Sequence, residues 1–305
     1  SPGPAAGAAA GGAASAAAGH AATASTGSPR ASLRQRLPLA AALVALLLFL
    51  VVAVSVRQAV LLLVGFGMGA ALAGARFGFT TGWRHLVERK DPRGVVGQVL
   101  LLALATAAAL PLLAHFPELQ AALGPPSVSL VVGAFLFGAA MQIADGCGSG
   151  TLYKAGLGVP LNMAILPLFA LGSFLGSVHL DKWLALGQTA PVSLPTQLGT
   201  GGALALTAAL LGAALLAVRA WVGPGQRWLD RRWAWGALAL ALLATLNLLL
   251  AGQPWGVVYG FGLWAAKGAT ALGLFDPAAN AFWSQPGNGQ RLAQTLLMDV
   301  TSITN

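Results

Sequence analysis

Charge and sulfur are scarce in this chain. Asp, Glu, Lys and Arg together make up 8% of its residues, where a soluble globular domain carries about 25%. The one cysteine, Cys147, excludes an intramolecular disulfide framework and any multi-cysteine zinc site. The histidines His20, His85, His115 and His179 stand far apart and fit no metal-ligand spacing. No metal site and no cofactor is expected. Acidic residues are scarcer than basic ones, leaving a net charge of +9. The cations form short clusters beside apolar runs rather than one patch, which argues against a nucleic-acid partner and makes the charge a signal of topology.

Apolar side chains dominate what remains. Hydrophobic residues make up 57% and the mean hydropathy is +0.75. Stretches of roughly 18–22 apolar residues recur, each able to cross a hydrocarbon core of about 30 Å. The fold class expected is therefore an all-α polytopic membrane protein, with the lipid bilayer as its surroundings. Spans are expected at 38–56, 58–83 (glycine-rich and broken near Gly78), 94–115, 127–158, 161–180, 199–219 and 234–252, with a glycine-interrupted segment at 254–273. Residues 1–33, rich in Ala and Gly, are too poor in large apolar side chains to build a core. They read as a disordered tail ahead of one transport domain over 34–305. The abrupt stop at Asn305 reads as the end of a fragment.

Arg84, Arg89, Lys90 and Arg93 make one basic loop, and Arg219, Arg227, Arg231 and Arg232 a second. The loops at 116–126 and 183–198 hold no Lys or Arg. If each segment crosses once, both basic loops and the N-terminal arginines fall on one side. The positive-inside rule makes that side the cytoplasm. Trp221, Trp228, Trp233 and Trp235 flank the second basic loop and read as an interfacial aromatic belt.

The segment GAFLFGAAMQIADGCGSGTLYKAGLG (133–158) interrupts an apolar helix with Asp145-Gly146-Cys147-Gly148-Ser149-Gly150. In lipid, a break of this kind is tolerated only where protein or a water-lined cavity satisfies the freed backbone groups. An internal repeat accompanies it, with segments at about 58–115 and 127–180. Gly69-Ala70-Ala71 followed by Ala75 matches Gly138-Ala139-Ala140 followed by Ala144. In that register Gly78 meets Cys147, Thr80 meets Ser149 and Arg84 meets Tyr153. Broken helices at a repeat interface are where transporters build binding sites, although small-residue patterns also serve plain helix packing.

Four segments, ARFGFTTGWRHL (75–86), GAAMQIADGCGSGTLY (138–153), AGQPWGVVYGFGLWAAKGA (251–269) and LLMDVTSITN (296–305), together resemble successive signatures of the YeeE/YedE sulfur-transport family. The resemblance covers roughly 58–305. It implies a repeat-based hourglass whose broken helices meet at a central constriction. It also implies import of thiosulfate across a bacterial inner membrane, with cysteines at the constriction passing the anion along. A small soluble sulfur-carrier protein of the TusA type is the implied cytoplasmic partner. The chain departs from the family at two points. Gly78 stands where some members carry a cysteine, and a second glycine-cysteine segment would lie beyond Asn305. Asp145 is also unexpected in an anion path. The Thr301-Ser302 pair could open another broken helix.

Thiosulfate is a dianion with a soft terminal sulfur, and a membrane interior penalises it unless donors replace its water. The backbone N–H groups of Gly148, Ser149, Gly150 and Thr151 would open the resumed helix, whose N-terminus carries about +0.5 charge. Gly146 and its neighbouring glycines let the backbone approach closely, and Ser149 and Thr151 add hydroxyls. Cys147 would act as a weak S–H donor in a relay, suiting a conduit that must also release its cargo. Asp145 has two readings: a cap on the N–H groups of 147–148, which is preferred, or a site for a co-transported proton or cation. Gln142 lies one turn before the break and is a candidate path residue. So are Lys267, in an apolar neighbourhood, and Arg76, whose alternative is a partner to a carbonyl. Lys154 reads either as an attractor of the anion or as a snorkelling lysine. Asn247 reads as an interhelical hydrogen-bonder. A membrane-embedded sulfur-transfer enzyme with a Cys147 persulfide is the alternative, as is transport of another small sulfur or selenium anion. An enzyme would want an activating group and a resolving thiol, and the chain offers no second cysteine.

Overall fold

The computed structural model describes residues 29–294, with side chains from 37 onward. The greater part of the expected tail, and the Thr301-Ser302 pair, lie outside the described residues. The chain divides into two compact units, 1–49 and 50–305. The first holds most of α1 (Pro29–Ala53), which takes up the last residues assigned to the tail; its apolar stretch is Leu37–Ala53.

The second unit is built from α2 (Val56–Ala75), α3 (Phe79–Arg89), α4 (Arg93–His115), α5 (Val128–Ala144), α6 (Gly148–Gly156) and α7 (Pro160–Val178). It continues through α8 (Leu180–Leu184), α9 (Leu194–Val222), α10 (Arg231–Ala251), α11 (Val257–Ala271) and α12 (Pro286–Ala293). No strand occurs among the described residues. Side-chain oxygens start several helices: Ser55 accepts from the Gln58 N–H at 3.2 Å and Ser127 from the Leu130 N–H at 3.1 Å.

Among the described residues, six continuous or broken helical segments are long and apolar enough to cross a membrane: Val56–Arg89, Arg93–His115, Val128–Gly156, Pro160–Val178, Leu194–Val222 and Arg231–Ala251. Their outer faces are apolar. α5 buries no residue at all, and its Phe135 and Ile143 are 77% and 83% exposed. A face of that kind suits the hydrocarbon of a bilayer. The protein is an all-α polytopic membrane protein.

Among the described residues, three clusters form the interior, the smallest being Leu86, Val95 and Val218, where α3 and α4 meet α9. α10 packs on α2 and α4, around Val64, Met68, Leu72, Phe77 and Leu240. α11 packs on α7, around Phe174, Leu263, Ala266 and Trp283. Small residues set the spacing, as expected where lipid gives helices no hydrophobic drive to associate. A Cβ on Gly94 would stand 2.5 Å from the Gly82 Cα, and one on Gly262 would stand 2.6 Å from the Ser173 Oγ. α6 lies on α7 and touches both α2 and α11.

The structure corrects three expectations. The segment 254–273 is not interrupted by its glycines. α11 is one 15-residue helix, about 22 Å long and too short to cross a core of about 30 Å alone; the chain breaks before it, at 252–256. The loop expected at 183–198 is shortened by α8 and by α9, which starts at Leu194 and bends at Gly199, where φ is 69°. The tryptophans are not one belt. Trp221 and Trp235 are exposed, but Trp233 packs against Phe77, with ring centroids 5.0 Å apart, and fills the hollow over Gly97.

Candidate functional site

Two helix breaks share one backbone design. In the first, α2 ends at Ala75, Arg76 adopts the left-handed conformation (φ 47°, ψ 44°), and the Phe77 N–H donates back to the Leu72 carbonyl at 2.9 Å. Gly78 then caps α3. In the second, α5 ends at Ala144, Asp145 is left-handed (φ 52°, ψ 31°), and the Gly146 N–H donates back to the Met141 carbonyl at 3.2 Å. Cys147 then caps α6. Each position has its counterpart in the register Gly78–Cys147. This is a Schellman-type stop followed at once by a restart. A left-handed position normally favours glycine, so Arg76 and Asp145 are held there by their surroundings.

The second break is sterically tight. A Cβ on Gly146 would stand 2.9 Å from the Thr151 backbone nitrogen, and one on Gly148 would stand 3.0 Å from the Phe169 ring. The Cys147 thiol is half-buried. Its Sγ lies 3.4 Å from the Ser149 Oγ, and a Cβ on Gly150 would meet it at 3.5 Å. The Thr151 N–H is already used, donating to the Cys147 carbonyl at 2.7 Å. The N–H groups of Gly148, Ser149 and Gly150 open α6 and have no helical acceptor, so the open donors are these rather than the larger set ending at Thr151. Thr151 is buried.

The two breaks meet. Gly78 faces the Tyr153 hydroxyl, which would lie 3.9 Å from a Cβ there. Arg84 of α3 reaches across to the second break, donating to the Gln142 carbonyl at 3.1 Å and lying 3.5 Å from the Asp145 carboxylate. Gln142 is therefore tied to Arg84 through its backbone and, at 3.5 Å, its side chain. Asp145 does not cap residues 147–148. Its carboxylate pairs with Lys154 at 2.7 Å as well as with Arg84, and Lys154 also donates to the Asp145 carbonyl. Lys154 is thus an internal partner rather than a snorkelling one. Arg76 is exposed at its left-handed position, and its charge reaches Tyr153.

Lys267 lies elsewhere. The Cys147–Gly148 end of α6 faces the start of α11, where Val258 would lie 3.6 Å from a Cβ on Gly148. Lys267 follows about 13 Å further along that helix at about 1.5 Å per residue. Its Nζ donates to the Gln294 carbonyl at 2.5 Å.

Buried amides hold all three chain breaks, and two of these were missed in the sequence. Gln98 of α4 donates to the Gly78 and Phe79 carbonyls at 3.1 and 3.2 Å. Asn162 of α7, fully buried, donates to the Ala144 carbonyl at 3.1 Å. Asn247 donates to the Gln253 carbonyl at 3.2 Å, closing its own chain's break before α11 instead of bonding another helix. A carbonyl partner requires the NH2 end of each amide, which fixes their orientation. Such donors satisfy backbone groups that a broken helix leaves open. Only a polar residue inside an otherwise apolar span could have signalled Gln98 and Asn162.

Comparison with known proteins adds two findings. The family model described as sulphur transport matches residues 74–287, and the chain belongs to that family. No curated protein matches the chain.

Proposed function

We propose that this member of the sulphur transport family carries thiosulfate inward across a bacterial inner membrane, with its N-terminus in the cytoplasm. The anion passes the second break and meets the Cys147 thiol there. The observation that carries this reading is local: Cys147 stands at the N-cap position of α6, its thiol making no capping bond, beside three N–H groups without helical acceptors, at a break braced by Arg84 of the first break. The N–H groups and the helix N-terminus suit the oxygens of the dianion. The thiol suits its terminal sulfur, and being a weak donor it lets the anion go. From the first break Gly78 approaches the Tyr153 hydroxyl of α6, and Arg76 would add positive charge to the path. Lys267, further along α11, donates to the Gln294 carbonyl just after α12 and would act on the path through its charge. A cytoplasmic sulfur carrier of the TusA type would draw uptake forward by consuming the product.

Cells that depend on thiosulfate as sulfur source test the proposal. The wild-type chain, expressed full length, should support growth, and Cys147→Ala should abolish it at unchanged membrane expression. Cys147→Ser should keep only a small fraction of uptake, because a hydroxyl replaces the soft contact. Undiminished uptake by Cys147→Ala would remove the thiol from the mechanism.

A further inference from the structure

The basic loops stand at one end of α10. At its other end, a cavity of about 370 Å³ opens among Arg57, Glu118, Gln120, Leu250, Gln253 and Arg291. Arg57 enters from the first turn of α2, and its Nε donates to the Leu250 carbonyl at 2.6 Å. Arg291 enters from α12. Its Nη2 donates to the Gln253 Oε1 at 3.2 Å, and its guanidinium lies 5.5 Å from the Tyr259 ring centre. The floor between them is the third chain break, fixed by Asn247 and by the Gln120 N–H donating to the Gly252 carbonyl at 2.8 Å.

Neither guanidinium is ion-paired among the described residues. Each carries five N–H donors and bonds one protein oxygen. Two cations sharing a cavity without a carboxylate partner repel one another, and an oxyanion relieves that repulsion while accepting their remaining donors. Glu118, exposed at the rim, opposes the two charges without neutralising them through a direct pair. We propose that this cavity is an outer capture site for a small free oxyanion dianion, sulfate or thiosulfate alike, read through its oxygens by Arg57 and Arg291. Its role as a port of uptake rests on the transport reading above; the binding itself does not. Selection for the soft sulfur then falls to Cys147.

The test measures binding, not transport. Titration calorimetry of the full chain in phosphatidylcholine nanodiscs, with sodium thiosulfate or sodium sulfate, should give saturable binding of both. Arg57→Gln and Arg291→Gln should each weaken binding about tenfold. Arg57→Lys, which keeps the charge and a donor for Leu250 but loses the planar fork, should fall between wild type and Arg57→Gln. Glu118→Gln should tighten binding. Absence of saturable binding by wild type, or wild-type binding by both glutamine variants, overturns the proposal. So does retention of phosphatidylglycerol through purification, lost in both glutamine variants, with no binding of either free anion, because the occupant would then be a lipid headgroup. Normal anion binding with no uptake by the wild-type protein would sink the transport reading and leave this site standing.

Discussion

At the residue scale, the second break depends on what cannot be added to it. Gly146 has no space for a Cβ, because the obstacle is the backbone nitrogen of Thr151, which cannot swing aside. Gly146→Ala should force the turn open, at a cost of about 1–3 kcal/mol. It should lower both thermal stability in detergent and uptake. Gly78, the matching residue of the first break, meets only the Thr81 Oγ1 at 3.5 Å and the Tyr153 hydroxyl at 3.9 Å. Gly78→Ala should therefore express and melt like wild type; a fall in stability equal to that of Gly146→Ala would refute the steric distinction. Gly78→Cys fits as well, and would set a second thiol beside Tyr153. This asymmetry was half legible in the sequence. The run of glycines around Cys147 announced a tight turn, but whether a lone glycine such as Gly78 is required depends on neighbours that folding brings from α6. Asp145 was misread for the same reason. Its partners Lys154 and Arg84 lie one on the next helix and one on the preceding repeat, while a cap on 147–148 was the partner visible locally.

At the element scale, hydropathy located the spans because lipid punishes an unsatisfied backbone wherever it lies. It could not say which glycines break a helix. α11 carries Gly260 and Gly262 without interruption, because Gly262 serves close packing against Ser173. α2 and α5 stop where a left-handed residue is followed by a new cap. The breaks are kept by Gln98 and Asn162, whose partners lie on other elements, so a single amide in an apolar helix gave no address for its bond. The turn between α3 and α4 is held differently, by charge at the membrane edge. The Asp91 carboxylate accepts from the Arg93 guanidinium at 2.7 Å and 2.9 Å. That hydrogen bond is the main reason its pKa lies below the ordinary carboxylate value, against the opposing effect of burial. A depressed folded pKa means the stabilisation is present above about pH 4, the unfolded value. It is lost as pH falls through the lower folded value. Melting temperature measured between pH 7 and pH 3 should therefore drop more steeply for wild type than for Asp91→Asn at the acid end. Parallel curves would show that the pair does not contribute.

At the scale of the whole molecule, two clasps decide which loops share a side. The basic loops are joined by Lys90, whose Nζ donates to the Trp221 carbonyl at 2.9 Å and lies 3.9 Å from the Trp221 ring centre. The uncharged loops are joined by backbone bonds, the Val128 N–H to the Gly187 carbonyl at 3.0 Å and the Thr189 N–H to the Pro126 carbonyl at 2.9 Å. The sidedness inferred from charge alone is thus matched by contacts that charge counting does not use. Those contacts say which loops are together; the proposed orientation, with the Lys- and Arg-rich pair in the cytoplasm, rests on the positive-inside rule. A chain with one cysteine makes the check direct. On a Cys147→Ser background, Ala122→Cys and Gln188→Cys should react with a membrane-impermeant maleimide in intact spheroplasts. Glu88→Cys and Arg227→Cys should react only after permeabilisation. Labelling of Ala122→Cys and Gln188→Cys on opposite sides would break the second clasp and with it the paired crossing of α5 and α7. Labelling with every side reversed would leave the clasps intact and invert the protein in the membrane. The Arg57–Arg291 cavity would then face the cytoplasm, and it would serve release of the anion instead of its capture.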